Sequence, residues 1–428
     1  MRATQSTRPL VGTCSVPGDK SISHRAALLA ALAPGTSRLR GFSPSGDCAS
    51  TVAVLPALGA RTGREGDDLV VTGPPDGPPT GDLGTLDCGR SGTTMRLLAG
   101  ILAGLPVSAT LTGDPQLLRR PMSRVTQPLR SMGAAVEPSP GGGAPITVHG
   151  GPLRGITYEL PVASAQVKSA ILLAGLRATG ITTVIEATPT RDHTERLLAA
   201  MGARVSSAPG RVTLEASALE PFDATVPGDP SSAAFLLVAA ALVPGSDITI
   251  QDVGLNPTRT GLLDALARMG AALEVEPVDR TAGGEPFGRI KVRHAALRAT
   301  SVTPGEVPRL IDELPLVALA ATQAEGTTEV RGAVELRVKE SDRIGGLAAG
   351  LRALGGAVDE LPDGLVVHGP TPLHGGTCDA RGDHRLAMTF AVAGLIADGP
   401  VRVLGGDLVG DSFPGFERAL AALRDGPS

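Results

Sequence analysis

The chain has 428 residues and a formal net charge of −4, with 39 basic side chains against 43 acidic ones, and aromatics make up only 2%. Without a basic surplus or stacking rings, nucleic-acid binding is not the expected function. The longest apolar run, 233–243, is well short of the roughly 18 residues of a membrane span, and MRATQSTRPL has no signal-peptide core, so a cytoplasmic enzyme or binding protein of two or three domains is expected.

Taken in chain order, the predicted elements repeat. GDKSISHRAALLAALAPGTSRL opens with a polar cluster, runs into an Ala/Leu helix, turns at a glycine and ends in a β-branched strand. The same order recurs in GRSGTTMRLLAGILAGLPVSATL, ASAQVKSAILLAGLRATGITTV, GDPSSAAFLLVAAALVPGSDITI, IDELPLVALAATQAEGTTEV and GDHRLAMTFAVAGLIADGPVRV. Anchored at Lys20, Ser91, Ser164, Ser231, Asp312 and Asp383, the spacings are 71, 73, 67, 81 and 71. A second, amphipathic helix follows in every unit, closed by a Gly-Ala step in all but the last. Short alternating strands such as Leu69–Thr72, Ile146–His149 and Leu365–His368 come next. Each unit thus reads as β-α-β-α-β-β, and units this long are subdomains rather than solenoid repeats.

The first helices are apolar nearly all round, which predicts burial on every side. Their polar starts then emerge where free N–H groups and the helix dipole favour anions. Ser231 and Thr93 need be no more than N-caps. Lys20, Arg25, Lys339, Arg343 and Arg385 sit at or near helix starts, where a cation opposes the dipole and requires an anionic partner.

Four cysteines (Cys14, Cys48, Cys88, Cys378) show no CxxC spacing and read as small buried thiols rather than metal ligands. Only four of the 39 basic residues are lysines: Lys20, Lys168, Lys291 and Lys339. In a chain that otherwise uses arginine, a lysine marks a place for a compact charge. Lys20, Lys168 and Lys339 lie in motif-like stretches, whereas Lys291 lies in an alternating strand. Singly, the motifs fail known fingerprints: Asp19 interrupts the P-loop order in Gly18-Asp19-Lys20-Ser21, and GRSGTT lacks the dinucleotide spacing. His384, in Asp383-His384-Arg385, reads either as an acid–base group or as part of a buried ion network.

Together they are specific. PGDKSISHRAALLAALA, GRSGTTMRLLAG, GDPQLLRRPMSRV, ASAQVKSAILLAGL, TRDHTERLL, PGDPSSAAFLLVAAAL, IDELPLVALAA, ELRVKESDRI and DHRLAMTF resemble, in order and interval, the 3-phosphoshikimate 1-carboxyvinyltransferase (EPSP synthase) family. The resemblance runs from about Pro9 to Leu423. It implies two inside-out α/β domains of three repeats each, joined by two crossovers, near Lys20 and near Pro227–Gly228. One domain would comprise 1–19 and 228–428, the other 20–227, with the substrate cleft between them. The strand around Leu10–Val16 would pack with the C-terminal half.

The resemblance also implies the chemistry: transfer of the enolpyruvyl group of phosphoenolpyruvate to the 5-hydroxyl of shikimate 3-phosphate, with no metal or organic cofactor, in a cytoplasmic monomer. Lys20, Ser21 and Arg25 would hold shikimate 3-phosphate, with Lys20 reaching phosphoenolpyruvate too. Ser164 and Gln166 match the phosphate-and-substrate loop, with Gln166 between the two substrates, and Thr190 or Arg191 adds a phosphate contact. Gly92, Arg120, Arg343 and Arg385 match phosphoenolpyruvate ligands, and Asp312 and Lys339 match contacts to the shikimate hydroxyls. Glu340 would be the acid at C3 of phosphoenolpyruvate, Asp312 the base at the hydroxyl, and Lys20 an assistant; the bland alternative for Glu340 is a helical i, i+3 ion pair with Arg343. Glyphosate occupies the phosphoenolpyruvate site in this family, and the space beside the glycine matching Gly92 governs sensitivity.

Several positions depart from the family pattern. Arg90 and Glu335 stand where asparagine is usual, Ala165 stands at the second of two usual serines, and Asp411 replaces a phosphoenolpyruvate-binding lysine. Two rival readings make different demands on the sequence. A transferase acting on a UDP-amino sugar has the same fold but carries a reactive cysteine on the loop matching Gly113–Pro121, which has none here. A non-catalytic anion-binding homologue would be expected to lack Lys20, Asp312 or Glu340, and all three are present.

Overall fold

Alanine and leucine dominate the first helix of each repeat, and in the computed structural model these helices are the buried cores. Residues 1–6, 8–282 and 284–425 are described, with side-chain surroundings for all of these except 279–282. The chain divides into two compact units, Met1–Pro17 with Pro227–Arg280 and Pro286–Ser428, and Gly18–Val226 with Thr281–Glu285. Each has its own hydrophobic core.

The second unit holds the helices Lys20–Ala30, Gly92–Ala103 and Ala165–Gly175; the first holds Pro230–Leu242, Leu314–Ala321 and His384–Ala393. Twelve of the 13 residues of Pro230–Leu242 are buried, as expected of a helix without a polar face. Such helices pack closely only where one side is small. A methyl added at Gly100 would stand 2.3 Å from the Ala170 carbonyl oxygen, and one at Gly350 would stand 2.1 Å from the Phe390 ring. These two glycines exchange helix propensity for close approach.

The five four-stranded sheets repeat one wiring. Gly81–Asp87 runs parallel to Val107–Thr112, which pairs antiparallel with Ile146–His149 (Ser108 opposite His149), and Ala135–Pro138 completes the sheet. Two sheets borrow their outer strand from far along the chain. Asp223–Thr225 lies parallel to Gly35–Arg40 in the second unit. Val11–Ser15 lies parallel to Asp247–Gly254 in the first. That second pairing is what the resemblance implies for the segment around Leu10–Val16. The chain is therefore an α/β protein of β-α-β-α-β-β repeats.

The sixth repeat departs from the pattern. Its described sheet has three strands: Gly376–Asp379 lies parallel to Val401–Leu404, whose antiparallel partner is Arg2–Ala3 rather than a C-terminal hairpin. Beyond Leu404 the chain enters a 3-10 turn, Gly406–Asp411, and the helix Phe416–Asp425, so the following residues supply no hairpin.

Candidate active site

The polar helix starts prove to be more than caps. Asp19, Ser91 and Ser164 cap the three core helices of the second unit. Asp229 and Asp383 cap two of those in the first. Thr93 and Ser231 are not caps: Thr93 accepts from Gln166 Nε2 at 2.9 Å, and Ser231 donates to Glu313.

In the second unit, Lys20 starts its helix and donates from Nζ to Asp47 Oδ2 at 2.7 Å. Asp47 is the carboxylate that a cation at a helix start requires. Arg25, one turn on, is 3% exposed. Its Nε donates to Thr194 Oγ1, Nη1 to the Ser21 carbonyl and Nη2 to Ser169 Oγ, each at 2.9 Å. Among the described residues no carboxylate lies within ion-pair distance of it. Burial, reinforced by the nearby Arg191 charge, brings the guanidinium down to about 10. Arg191 Nη1 donates to Ser21 Oγ at 3.1 Å, so Ser21, Arg25 and Arg191 converge on one spot.

Gly92, Arg96, Arg120 and Gln166 form a second group in that unit. Arg96 Nη1 donates to Gln166 Oε1 at 2.6 Å and Nη2 to the Pro121 carbonyl at 3.3 Å. A methyl built on Gly92 would stand 2.8 Å from Arg120 Nη1 and 2.9 Å from Arg96 Nη1. Two guanidinium ends thus lie against the bare Cα of Gly92. Lys20, Arg25, Arg96, Arg120 and Arg191 thus bring five cationic side chains to these two groups of the second unit, the residue type that recognises anions.

Behind it runs a buried relay. His24 Nδ1 is 2.6 Å from Thr51 Oγ1, Thr51 Oγ1 is 2.6 Å from Thr94 Oγ1, and Thr94 donates to Ser91 Oγ at 2.8 Å. The relay ties the helix bearing Lys20 to the cap before Gly92. Burial lowers His24 to about 3, against an upward pull from Asp47, so the ring stays neutral. Below the unfolded value near 6.5 the unfolded chain takes up a proton that the folded chain refuses. Stability is then expected to fall with pH from about 6.5 towards 3, with up to one proton of slope, about 1.4 kcal/mol per pH unit, from this group. Urea unfolding at stepped pH should show a shallower loss for His24→Asn, which retains a polar partner for Thr51.

The first unit gathers the other cluster. Arg343, 1% exposed, donates from Nε to Asp383 Oδ2 at 2.7 Å, from Nη1 to Asp312 Oδ1 at 3.1 Å and from Nη2 to Glu340 Oε2. Burial alone would lower its pKa, but Asp383, Glu340 and Asp312 outweigh that and raise it well above the ordinary value. Lys339 Nζ lies 3.6 Å from Asp312 Oδ1, and Arg385 Nη2 lies 3.9 Å from Asp312 Oδ2. The ion pair of Glu340 with Arg343 is present, but Glu340 precedes the helix, whose cap is Asp342, so it is not a pair on a helix surface. Three cations face three carboxylates here.

The residues the sequence points to therefore fall into two sets. Lys20, Ser21, Arg25, Gly92, Arg120, Ser164, Gln166 and Arg191 lie in the second unit, and Asp312, Lys339, Glu340, Arg343 and Arg385 in the first. Sequence reasoning missed Asp47, Arg96, Ser169 and Thr194 as partners, whereas Asp383, in a stretch read as an acid–base pair or a buried ion network, lies in such a network with Arg343. Arg96 carried a signal, being the one charged residue of the buried helix Gly92–Ala103; Thr194 and Ser169 carried none. Arg90 reaches Gln116. Burial pushes Cys48 and Cys88 up to about 12, and Cys14 and Cys378 to about 11, so the thiols are protonated at neutral pH. Among the described residues the one cluster of metal-ligand type is Asp192, His193 and Glu285. There Asp192 pairs with Arg196 at 2.8 Å and His193 Nδ1 with Glu285 at 2.7 Å, so protein partners already engage it.

The EPSP synthase (3-phosphoshikimate 1-carboxyvinyltransferase) family model matches residues 4–420. The chain belongs to this family. A 3-phosphoshikimate 1-carboxyvinyltransferase of Halorhodospira halophila is 52% identical over 420 residues, covering 97% of this chain and 94% of that protein. One of Xanthomonas campestris pv. campestris is 50% identical over 418 residues, covering 95% and 93%. An EPSP synthase structure from Acinetobacter baumannii superposes with a TM-score of 0.86 at 40% identity, over 98% of this chain and 97% of that one. The enolpyruvyl transferase NikO from Streptomyces tendae, at 20% identity and a TM-score of 0.79 over 98% and 96%, shares the fold. No helix among the described residues is long and apolar enough to cross a membrane.

Proposed function

We propose that the two clusters divide the work of one reaction, the transfer of the enolpyruvyl group of phosphoenolpyruvate to the 5-hydroxyl of shikimate 3-phosphate with release of phosphate. The second unit supplies anion recognition. Ser21, Arg25 and Arg191 take the phosphate of shikimate 3-phosphate; Ser164 and Gln166 form the phosphate-and-substrate loop, with Gln166 between the two substrates; Arg120, above Gly92, takes phosphoenolpyruvate; and Lys20 serves both substrates. The observation that carries this reading is Arg25, a cation 3% exposed that donates to hydroxyls and a carbonyl. A buried guanidinium held by neutral acceptors beside a second cation is stabilised by a dianion, and the fork geometry suits phosphate.

The first unit supplies the proton transfers. Asp312 accepts the proton of the 5-hydroxyl as its oxygen bonds to C2 of phosphoenolpyruvate, and Glu340 delivers a proton to C3. The tetrahedral adduct then returns a C3 proton to Glu340, the C2–O bond to phosphate breaks as the hydroxyl proton held by Asp312 passes to the departing phosphate, and the vinyl double bond re-forms, so that acid and base are both regenerated. Lys339 supports the shikimate hydroxyls and Arg385 the phosphoenolpyruvate carboxylate. Arg343 binds all three carboxylates of the cluster; its first task is to fix the acid and the base relative to one another. Both substrates are multiply charged and confined by membranes, so we place the reaction in the cytoplasm.

Shikimate 3-phosphate and phosphoenolpyruvate together are expected to release one phosphate per product formed, and neither alone should. No release from the pair would overturn the reading. Arg25→Ala should raise KM for shikimate 3-phosphate roughly tenfold to a hundredfold, since a hydrogen bond to a charged group contributes about 1.5–3 kcal/mol, while KM for phosphoenolpyruvate changes little. Steady-state kinetics with each substrate varied in turn checks it.

A further inference from the structure

Lys168 is one of the few lysines, yet the reaction as described gives it no part. At 1% exposure it is among the largest fully buried side chains of the protein. Its Nζ lies 2.8 Å from Glu186 Oε2 and 2.7 Å from Glu195 Oε1. Glu186 follows the strand Ile181–Ile185, and Glu195 lies in the first turn of the helix His193–Ala200. The segment between them carries Thr190, Arg191 and Thr194. One ammonium therefore joins both ends of that segment.

The same turn of the core helix repeats the contact. Ser169, next to Lys168, has its Oγ 2.7 Å from Thr194 Oγ1, next to Glu195, and both hydroxyls accept from Arg25. Glu186 in addition accepts from Thr190 Oγ1. Glu195 Oε2 has no hydrogen-bond partner, and burial raises the pKa of this carboxyl despite the pull of Lys168. Its charge thus depends on the ammonium.

We propose that Lys168 is a positioning residue for the phosphate of shikimate 3-phosphate: by clipping Glu186 to Glu195 it holds Arg191 and Thr194 in register with Arg25. This rests on the assignment of Arg25 and Arg191 to that phosphate. A compact ammonium serves two carboxylates from one atom, which a planar guanidinium in the same space does not. The lever is preorganisation: a loop already in its binding geometry loses less freedom when the anion arrives.

The test compares shikimate 3-phosphate with shikimate, which lacks only the phosphate, by calorimetric titration of the full chain. In Lys168→Met the affinity for shikimate 3-phosphate should fall tenfold or more and that for shikimate less than twofold, with KM for phosphoenolpyruvate unchanged. Lys168→Arg should recover only part of the loss. An equal loss for both ligands would show a general structural role and overturn the proposal, as would no loss for either. If Lys168→Met does not fold, Glu195→Gln, which keeps shape and removes the charge, decides: about a threefold selective loss is expected, and an unchanged ratio overturns. Arg25→Ala is the control. If it too leaves the ratio unchanged, the phosphate assignment fails; if it alone collapses the ratio, only the role of Lys168 does.

Discussion

Glu340→Gln is expected to lower kcat by roughly 10²–10⁴-fold, the usual contribution of a positioned general acid or base, while the KM values shift by no more than a few-fold. Asp312→Asn should do the same. Both substitutions keep side-chain volume and an oxygen to accept from Arg343, whose Nη2 and Nη1 meet Glu340 and Asp312. What they remove is proton capacity. The geometry favours a kcat effect because Arg343 is buried and also tied to Asp383 at 2.7 Å, so the arginine stays anchored when one carboxylate becomes an amide. Arg343→Lys should hurt more broadly, because a single ammonium cannot reach three carboxylates in a plane. Pre-steady-state burst measurements separate chemistry from release. Near-wild-type turnover in Glu340→Gln would remove it from the proton path.

The repeat architecture was legible because it rests on periodicity. Six polar-cluster, apolar-helix, glycine, strand units at spacings of 67 to 81 residues leave few ways to bury their helices. The sixth sheet was not legible: Arg2–Ala3 is two residues long, too short for a strand pattern, and its pairing with Val401–Leu404 is fixed by tertiary contact alone. The cations were legible because helix starts disfavour them. Lys20 and Arg343 had to have anionic neighbours, and Glu340 was visible as one for Arg343, but the pairings of Asp47 with Lys20 and of Asp383 with Arg343 were hidden, because they form across the fold. Thr93 and Ser231 show the limit of local rules. Each fits a cap by sequence, yet Ser91 and Asp229, two residues earlier, do that work and leave the later hydroxyls for Gln166 and Glu313. The bland reading of Glu340 was partly right, since the pair with Arg343 exists. It missed that the arginine is buried and shared, so the pair organises the cluster instead of decorating a surface.

Gly92→Ala is expected to weaken glyphosate inhibition strongly and phosphoenolpyruvate binding measurably. The added methyl would stand 2.8 Å from Arg120 Nη1, 2.9 Å from Arg96 Nη1 and 3.2 Å from Arg120 Cζ. All are below ordinary van der Waals contact, so the guanidinium ends must move. Backbone strain is not at issue, because Gly92 opens a right-handed helix, a conformation any residue adopts. Arg96 cannot shift freely, since its Nη1 holds Gln166 at 2.6 Å, and Gln166 in turn donates to Thr93. Displacement therefore spreads along the phosphoenolpyruvate group of residues, and overfilling of this kind costs about 1–3 kcal/mol, or roughly a fivefold to 150-fold loss of affinity. A ligand that fills the space beside Gly92 bears the full cost, whereas phosphoenolpyruvate, the smaller anion, bears less. The inhibition constant should thus rise more than KM for phosphoenolpyruvate, and inhibition in the wild type should be competitive with that substrate. Measuring inhibition of both forms against varied phosphoenolpyruvate decides it: equal inhibition constants would show that Arg120 and Arg96 yield without cost and that the steric account of Gly92 is wrong.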